Sequence, residues 1–202
     1  MWLWFLKGGP LMWPILLCSI ASAAFIIERL YYFYSNRSSA PNIDARVRNL
    51  LKQKKIDEAL ELCESSSGYI AHILGIAIRI RTRTREDRDR ILTKYATRII
   101  RKAEKNIDFL AIIANISPLL GLTGTVTGMI NCFMKIQNLQ GAANVASLAG
   151  GVWEALITTA FGLFVAIPAM AFHHYFETKV NNMLDDIKDI SIEIIEDDSL
   201  LI

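Results

Sequence analysis

Three stretches of the chain, about Leu11–Tyr34, Phe109–Lys135 and Val152–Phe176, stay apolar long enough to cross a bilayer core, which takes roughly 20 residues of helix. The segment between the first two has another rhythm. In "ARVRNLLKQKKIDEALELCE" the apolar positions Val47, Leu50, Leu51, Ile56, Leu60 and Leu62 recur with helical spacing and predict a short helical hairpin. "RSSAPNID" interrupts the pattern before it, with Asn42 or Asp44 available as a cap. "SSSG" at Ser65–Gly68 ends the hairpin, and "YIAHILGIAIRI" predicts another amphipathic helix. From Arg85 onward nothing breaks helical character before Ser117–Pro118, so the second membrane helix is expected to start well inside the cytoplasm. Beyond the third span, Val180, Leu184, Ile187, Ile190/Ser191 and Ile194 keep an apolar stripe. No strand alternation and no internal repeat stands out.

The pattern therefore predicts an all-α polytopic membrane protein with three transmembrane helices, the second and third extended into the cytoplasm. Its expected divisions are an N-terminal external segment with the first span (1–36), a cytoplasmic helical region (37–106), the second span (107–135), a short external loop (136–149), the third span (150–176) and a cytoplasmic C-terminal helix (177–202). Composition alone would not have decided this. The chain is 52% hydrophobic with a net charge of +2 and a mean hydropathy of +0.31, little above the usual range for soluble domains. The N-terminus resembles a cleavable signal peptide through Lys7 and "ASA" at Ala21–Ala23. Trp2 and Trp4 precede that lysine, however, and the apolar run continues through "AFII" to an aromatic belt in "ERLYYFY", so a retained helix is expected.

Charge then sets the orientation. Residues 35–106 hold seventeen of the twenty-two lysines and arginines, and the 136–149 connection holds none. The positive-inside rule predicts the N-terminus outside and the middle region and C-terminal tail inside. Lys94, Arg98, Arg101, Lys102 and Lys105 recur every three or four residues as a basic stripe near the bilayer. Such a stripe serves ordinary anchoring or holds anionic lipid head groups, at about 1 kcal/mol per charge. The tail from 177 to 202 is acidic, with eight carboxylates against two lysines, and is expected to pack on the basic middle region. "RIRTRTREDRDR" interleaves acids and lacks stacking aromatics, which argues against nucleic-acid binding.

Within the membrane, small residues carry the information. Ser117, Gly121, Gly124, Gly128 and Asn131 step by four, three, four and three, and Ala155, Thr159, Gly162, Ala166 and Ala169 make the same steps. Lipid offers little hydrophobic drive for helix association, so two small faces predict close backbone packing, within one subunit or between subunits. Thr123, Thr125 and Thr127 cannot all face that seam, because successive members stand about 200° apart on a helix. Their hydroxyls either bond preceding carbonyls or face another helix or an aqueous path. Glu154, in "GVWEALITTAFGL", has no lysine or arginine nearby in sequence. An acid deep in a span costs roughly 2.5–3.5 kcal/mol and marks function, whereas one at the external interface does not.

Other chemistry lacks support. Cys18, Cys63 and Cys132 show no paired spacing. Asp108 falls at the inner edge of the second span, and His173, His174 and Glu177 offer too few convergent ligands, so interfacial anchoring is expected and no metal. No GxxxxGK[ST], GxSxG or HExxH is present, so neither an enzyme nor a cofactor is expected.

"KGGPLMWPILLCSI" followed by "IIERL", then "SPLLGLTGTVTGMINCF", then "GVWEALITTAFGLFVAIPAMAFHHYF" resemble the ExbB/TolQ/MotA family of ion-driven motor subunits. The three-span layout resembles ExbB and TolQ more than the four-span MotA, and the opening "GGP…P…ERL" looks closer to ExbB. The resemblance implies a homo-oligomer, a pentamer in the family, around a pair of ExbD-like single-span helices in the central pore. The partner would supply an essential aspartate, and proton flow past it would drive a TonB-like protein acting on the outer membrane. It also implies that Thr125, Glu154 and Thr159 match polar pore-lining positions. Thr127 stands where relatives often carry tryptophan, and Trp153 replaces a commonly smaller residue. A TolQ-like role in envelope maintenance and a non-conducting membrane scaffold are the competing readings.

Overall fold

The computed structural model describes residues 8–36, 43–138 and 145–196, and among these every regular element is a helix. They are α1 (Met12–Ser35), α2 (Ile43–Lys52), α3 (Ile56–Ser65), α4 (Tyr69–Arg79), α5 (Arg85–Glu104), α6 (Ile107–Asn138) and α7 (Val145–Glu196). Three of the described helices are long and apolar enough to cross a membrane, with their apolar stretches in α1, α6 and α7. The chain divides into two compact units, 1–28 with 106–175 and 29–105 with 176–202.

In the first unit, Gly9 (φ 72°) turns the chain into α1, and the Met12 N–H donates to the Gly9 carbonyl at 3.2 Å. Pro14 falls in the first helical turn, where it has no intrahelical hydrogen bond to forfeit. The core joins Ile15 of α1, Ile113 and Ala114 of α6, and Val165 and Ala169 of α7. Phe25 stacks on Phe109 with ring centroids 5.3 Å apart. Large apolar side chains also face outward, among them Leu17, Ile20 and Ile27 on α1, Leu119 and Phe133 on α6, and Phe164 and Ile167 on α7. In water such a surface would be a liability; against lipid tails it is simply solvated. Pro118 and Pro168 lie inside α6 and α7, which continue through them.

The helical run from Arg85 differs from the sequence expectation in one detail. It is not unbroken up to Ser117–Pro118: Lys105 is extended (ψ 133°) and Asn106 left-handed (φ 65°), which separates α5 from α6. Asparagine tolerates that conformation better than other residues bearing a Cβ. Here its Nδ2 also donates to Glu28 Oε2 at 2.8 Å, a bond from a residue 78 positions away that no local pattern announces.

In the second unit, α2 buries Ile43, Val47 and Leu51, one residue per helical turn. The chain reverses at Lys54 (φ 57°) into α3, and Gly68 (φ 120°) introduces α4. Asp44 lies in the first turn of α2, while Asn42 falls outside the described residues. Thr84 caps α5 by accepting the Asp87 N–H at 3.3 Å, and Glu86 and Asp87 add negative charge at the helix's positive end. Its other end is closed by a side chain from α1. Arg29 is buried, lies over the Tyr32 ring at 4.7 Å, and its Nη1 donates to the Lys102 and Ala103 carbonyls at 3.1 and 3.2 Å. A cation there complements both the open carbonyls and the helix dipole.

The tail of α7 enters this unit through Phe176, stacked on Phe33 at 5.6 Å, and then through Val180, Met183, Ile187 and Ile190. Met183, not Leu184, is the more deeply buried of the two neighbours. Tyr69 Oη donates to Asp186 Oδ2 at 2.5 Å. Burial, and then the Asp186 hydrogen bond and charge, push the Tyr69 phenol above its ordinary pKa of 10.0. Of the expected 136–149 connection, residues 139–144 lie outside the described residues, and α6 and α7 occupy the remainder.

Candidate ion pathway between α6 and α7

Where α6 meets α7, backbone touches backbone. A Cβ placed on Gly121 would stand 2.9 Å from Thr159 Cα and 3.1 Å from the Thr158 carbonyl oxygen. One on Gly162 would stand 2.5 Å from the Ser117 carbonyl oxygen and 3.2 Å from Gly121 Cα. One on Gly128 would reach the Ala155 methyl at 3.0 Å, and one on Gly124 would run into the Thr158 side chain. Ala155 and Ser117 are themselves buried. The seam continues to Cys132 opposite Gly151, not to Asn131, which is exposed.

The hydroxyls divide by partner. Thr159 Oγ1 donates across the interface to the Gly121 carbonyl at 2.9 Å. Thr125, half-buried, donates to the Leu122 carbonyl of its own helix at 2.6 Å. The exposed Thr123 and Thr127 likewise turn back on α6, Thr123 to Leu119 at 2.8 Å and Thr127 to Thr123 at 3.0 Å. Thr158, 1% exposed, is not among the site residues that the sequence pattern singles out, yet its Oγ1 lies 2.9 Å from the Gly8 carbonyl and 2.8 Å from that of Glu154. Ser117 Oγ is buried with no hydrogen-bond partner among the described residues.

Glu154 is half-buried, one helical turn before Thr158, and its carboxylate abuts Gly9. Thus Thr159 is brought to Gly121, and Glu154 to the turn that starts α1, while the Thr125 hydroxyl is engaged within α6. The basic stripe is exposed along its length, at Lys94, Arg98, Arg101, Lys102 and Lys105. It is not uniform. Arg98 and Lys102 line a cleft of about 510 Å³ together with Tyr32, Tyr69, His72 and Arg79.

Residues 65–189 match the sequence model of the MotA/TolQ/ExbB proton channel family. The chain belongs to that family. Its members are transport proteins and not enzymes. Among curated MotA/TolQ/ExbB relatives, an ExbB-like biopolymer transport protein of Synechocystis sp. is 33% identical over 175 residues, covering 82% of this chain and 66% of the relative. The TolQ protein of the Tol-Pal system in Haemophilus influenzae is 40% identical over 89 residues, 44% of this chain and 39% of that protein. The biopolymer transport protein ExbB of Xanthomonas campestris is 43% identical over 94 residues, 46% of this chain and 36% of the relative. The chain therefore spans about two thirds of the cyanobacterial relative and little more than a third of the other two.

Proposed function

We propose that this chain is the ion-channel subunit of a bacterial inner-membrane motor of the ExbB kind. It would assemble as a homo-oligomer, a pentamer by family likeness, around an ExbD-like single-span partner. Proton motive force would be converted into work on a TonB-like protein for import across the outer membrane. The observation that carries this reading is the family match over 65–189, which takes in α6, most of α7 and the positions of Thr125, Glu154 and Thr159.

Physical arguments support it. Glu154 is the sole acidic residue in 109–135 and 152–176, so a partner's carboxylate is a reasonable second proton-binding group. An ion crossing the membrane delivers about 2.3 kcal/mol per 100 mV, and a few ions suffice for a conformational step. The lysine and arginine distribution favours an external N-terminus and an internal C-terminus. On this orientation the basic stripe faces the inner leaflet and its anionic lipids. A TolQ-like role is favoured by the 40% identity to the H. influenzae protein, and differs in its partners, not in the chemistry of this chain.

Reconstitution of the complete complex in liposomes tests conduction. Glu154→Ala, Thr125→Val and Thr159→Val are expected to assemble normally and to lose most of the proton flux, whereas Thr123→Val is expected to keep it. Wild-type flux in all three variants would leave a non-conducting scaffold. The single-span protein that co-purifies separates the ExbB-like from the TolQ-like role.

A further inference from the structure

We propose that the Gly8–Gly9 turn and Thr158 are positioning residues for Glu154: together they fix where its carboxylate stands beside the turn that precedes α1. This rests on the reading of Glu154 as part of the ion path, but the geometry has its own readout.

Gly9 has two independent reasons to be glycine. Its φ of +72° lies in the left-handed region, where a side chain is strained. A Cβ there would also overlap Glu154 Oε1, so the carboxylate occupies the space that a side chain would take. Pro10 follows and fixes its own φ, which stiffens the turn. Gly8 is buried as well, and a Cβ on it would stand 2.5 Å from Met12 Cγ and 3.1 Å from Ile157 Cγ2. The turn is thus wedged between α1 and the turn of α7 that bears Glu154.

Thr158 ties the two together. Its hydroxyl has one hydrogen and two carbonyls in reach, Gly8 at 2.9 Å and Glu154 at 2.8 Å. One side chain therefore spans the backbone of the turn and the backbone of the acid. In the absence of the turn, a glutamate near the end of a membrane helix would be free to extend toward the interface, as long polar side chains there do. With the turn in place, the Gly9 backbone limits that movement. Polar groups that handle charge work when their geometry is held to about 0.5 Å by surrounding residues. Here that support comes from a segment at the opposite end of the chain, in the turn that precedes α1.

The test uses the complete complex in liposomes with three readouts: oligomer mass by native mass spectrometry, the rate at which an apolar carbodiimide modifies Glu154, and proton flux. Gly9→Ala and Thr158→Val are expected to assemble as the wild type, to change the Glu154 modification rate about five-fold, and to lower flux by a comparable factor, the scale set by one hydrogen bond. Thr158→Ser keeps the hydroxyl and is expected to restore both. Should Gly9→Ala fail to assemble, the Thr158 pair decides alone. Modification rates within two-fold of wild type in Thr158→Val, or a Thr158→Ser variant no better than Val, overturn the proposal. Undiminished flux in Glu154→Ala would defeat the conduction reading instead, and the modification rates would still report whether the turn positions the acid.

Discussion

Replacing Gly162 by alanine adds a single methyl group at the closest approach of α6 and α7. The added carbon would stand 2.5 Å from the Ser117 carbonyl oxygen, and Gly121 Cα would lie 3.2 Å away. Close C–H···O approaches between helices run to about 3.3 Å, so the methyl is roughly 0.8 Å too near an atom of rigid backbone. No rotamer relieves that overlap, because both neighbours are main chain; the helices must part. Separation would also stretch the Thr159–Gly121 bond, now 2.9 Å. Overpacking of this kind costs typically 1–3 kcal/mol, against a gain of roughly 0.5–1 kcal/mol from replacing a helical glycine. Gly150 supplies the control, since a Cβ there meets nothing within 4 Å. Reversible unfolding in mixed micelles, followed by tryptophan fluorescence, should show Gly162→Ala destabilised by about 1–3 kcal/mol relative to Gly150→Ala, because the helical gain is common to both variants and cancels. Equal stabilities of the two variants would refute the backbone seam.

Arg29→Met should remove the two hydrogen bonds to the Lys102 and Ala103 carbonyls at about 1.5–3 kcal/mol, and hydrogen exchange should quicken in the last turn of α5. Protection unchanged there would contradict the capping role. Tyr69→Phe addresses the docking of the α7 tail. Because the folded-state phenol pKa is raised, neutral Tyr69 contributes stability in full below its ordinary value of 10.0, and that contribution fades as pH rises through the higher folded value. Proteolysis of the tail should therefore accelerate above about pH 10 in the wild type and show less pH dependence in the variant. Cys63 is buried and its thiol is pushed up to about 11 from 9.0, first by burial and then by Glu64. At pH 8 its thiolate is thus about a hundred-fold scarcer than that of an ordinary cysteine, so maleimide should label it only after unfolding.

The membrane helices were legible in the sequence because apolar length is a property of the chain itself: about 20 residues must be apolar for a helix to span lipid, whatever it packs against. Steps of three and four likewise put Gly121, Gly124, Gly128, Ala155 and Gly162 on narrow helical faces by the helical period alone. The sequence pattern could not choose between neighbours on the edges of those faces. Adjacent residues are only about 100° apart, so whether Thr158 or Thr159, Asn131 or Cys132, Leu184 or Met183 is the more buried depends on how the opposing helix is rotated. The tertiary structure made those choices. It also made the ones that join distant positions: Glu28 with Asn106 at the α5–α6 break, Arg29 with the carbonyls that end α5, and Gly9 with Glu154. Hydrogen bonds and excluded volume act over a few ångströms of space, and a helical period read along the chain carries no information about which remote segment will fill them.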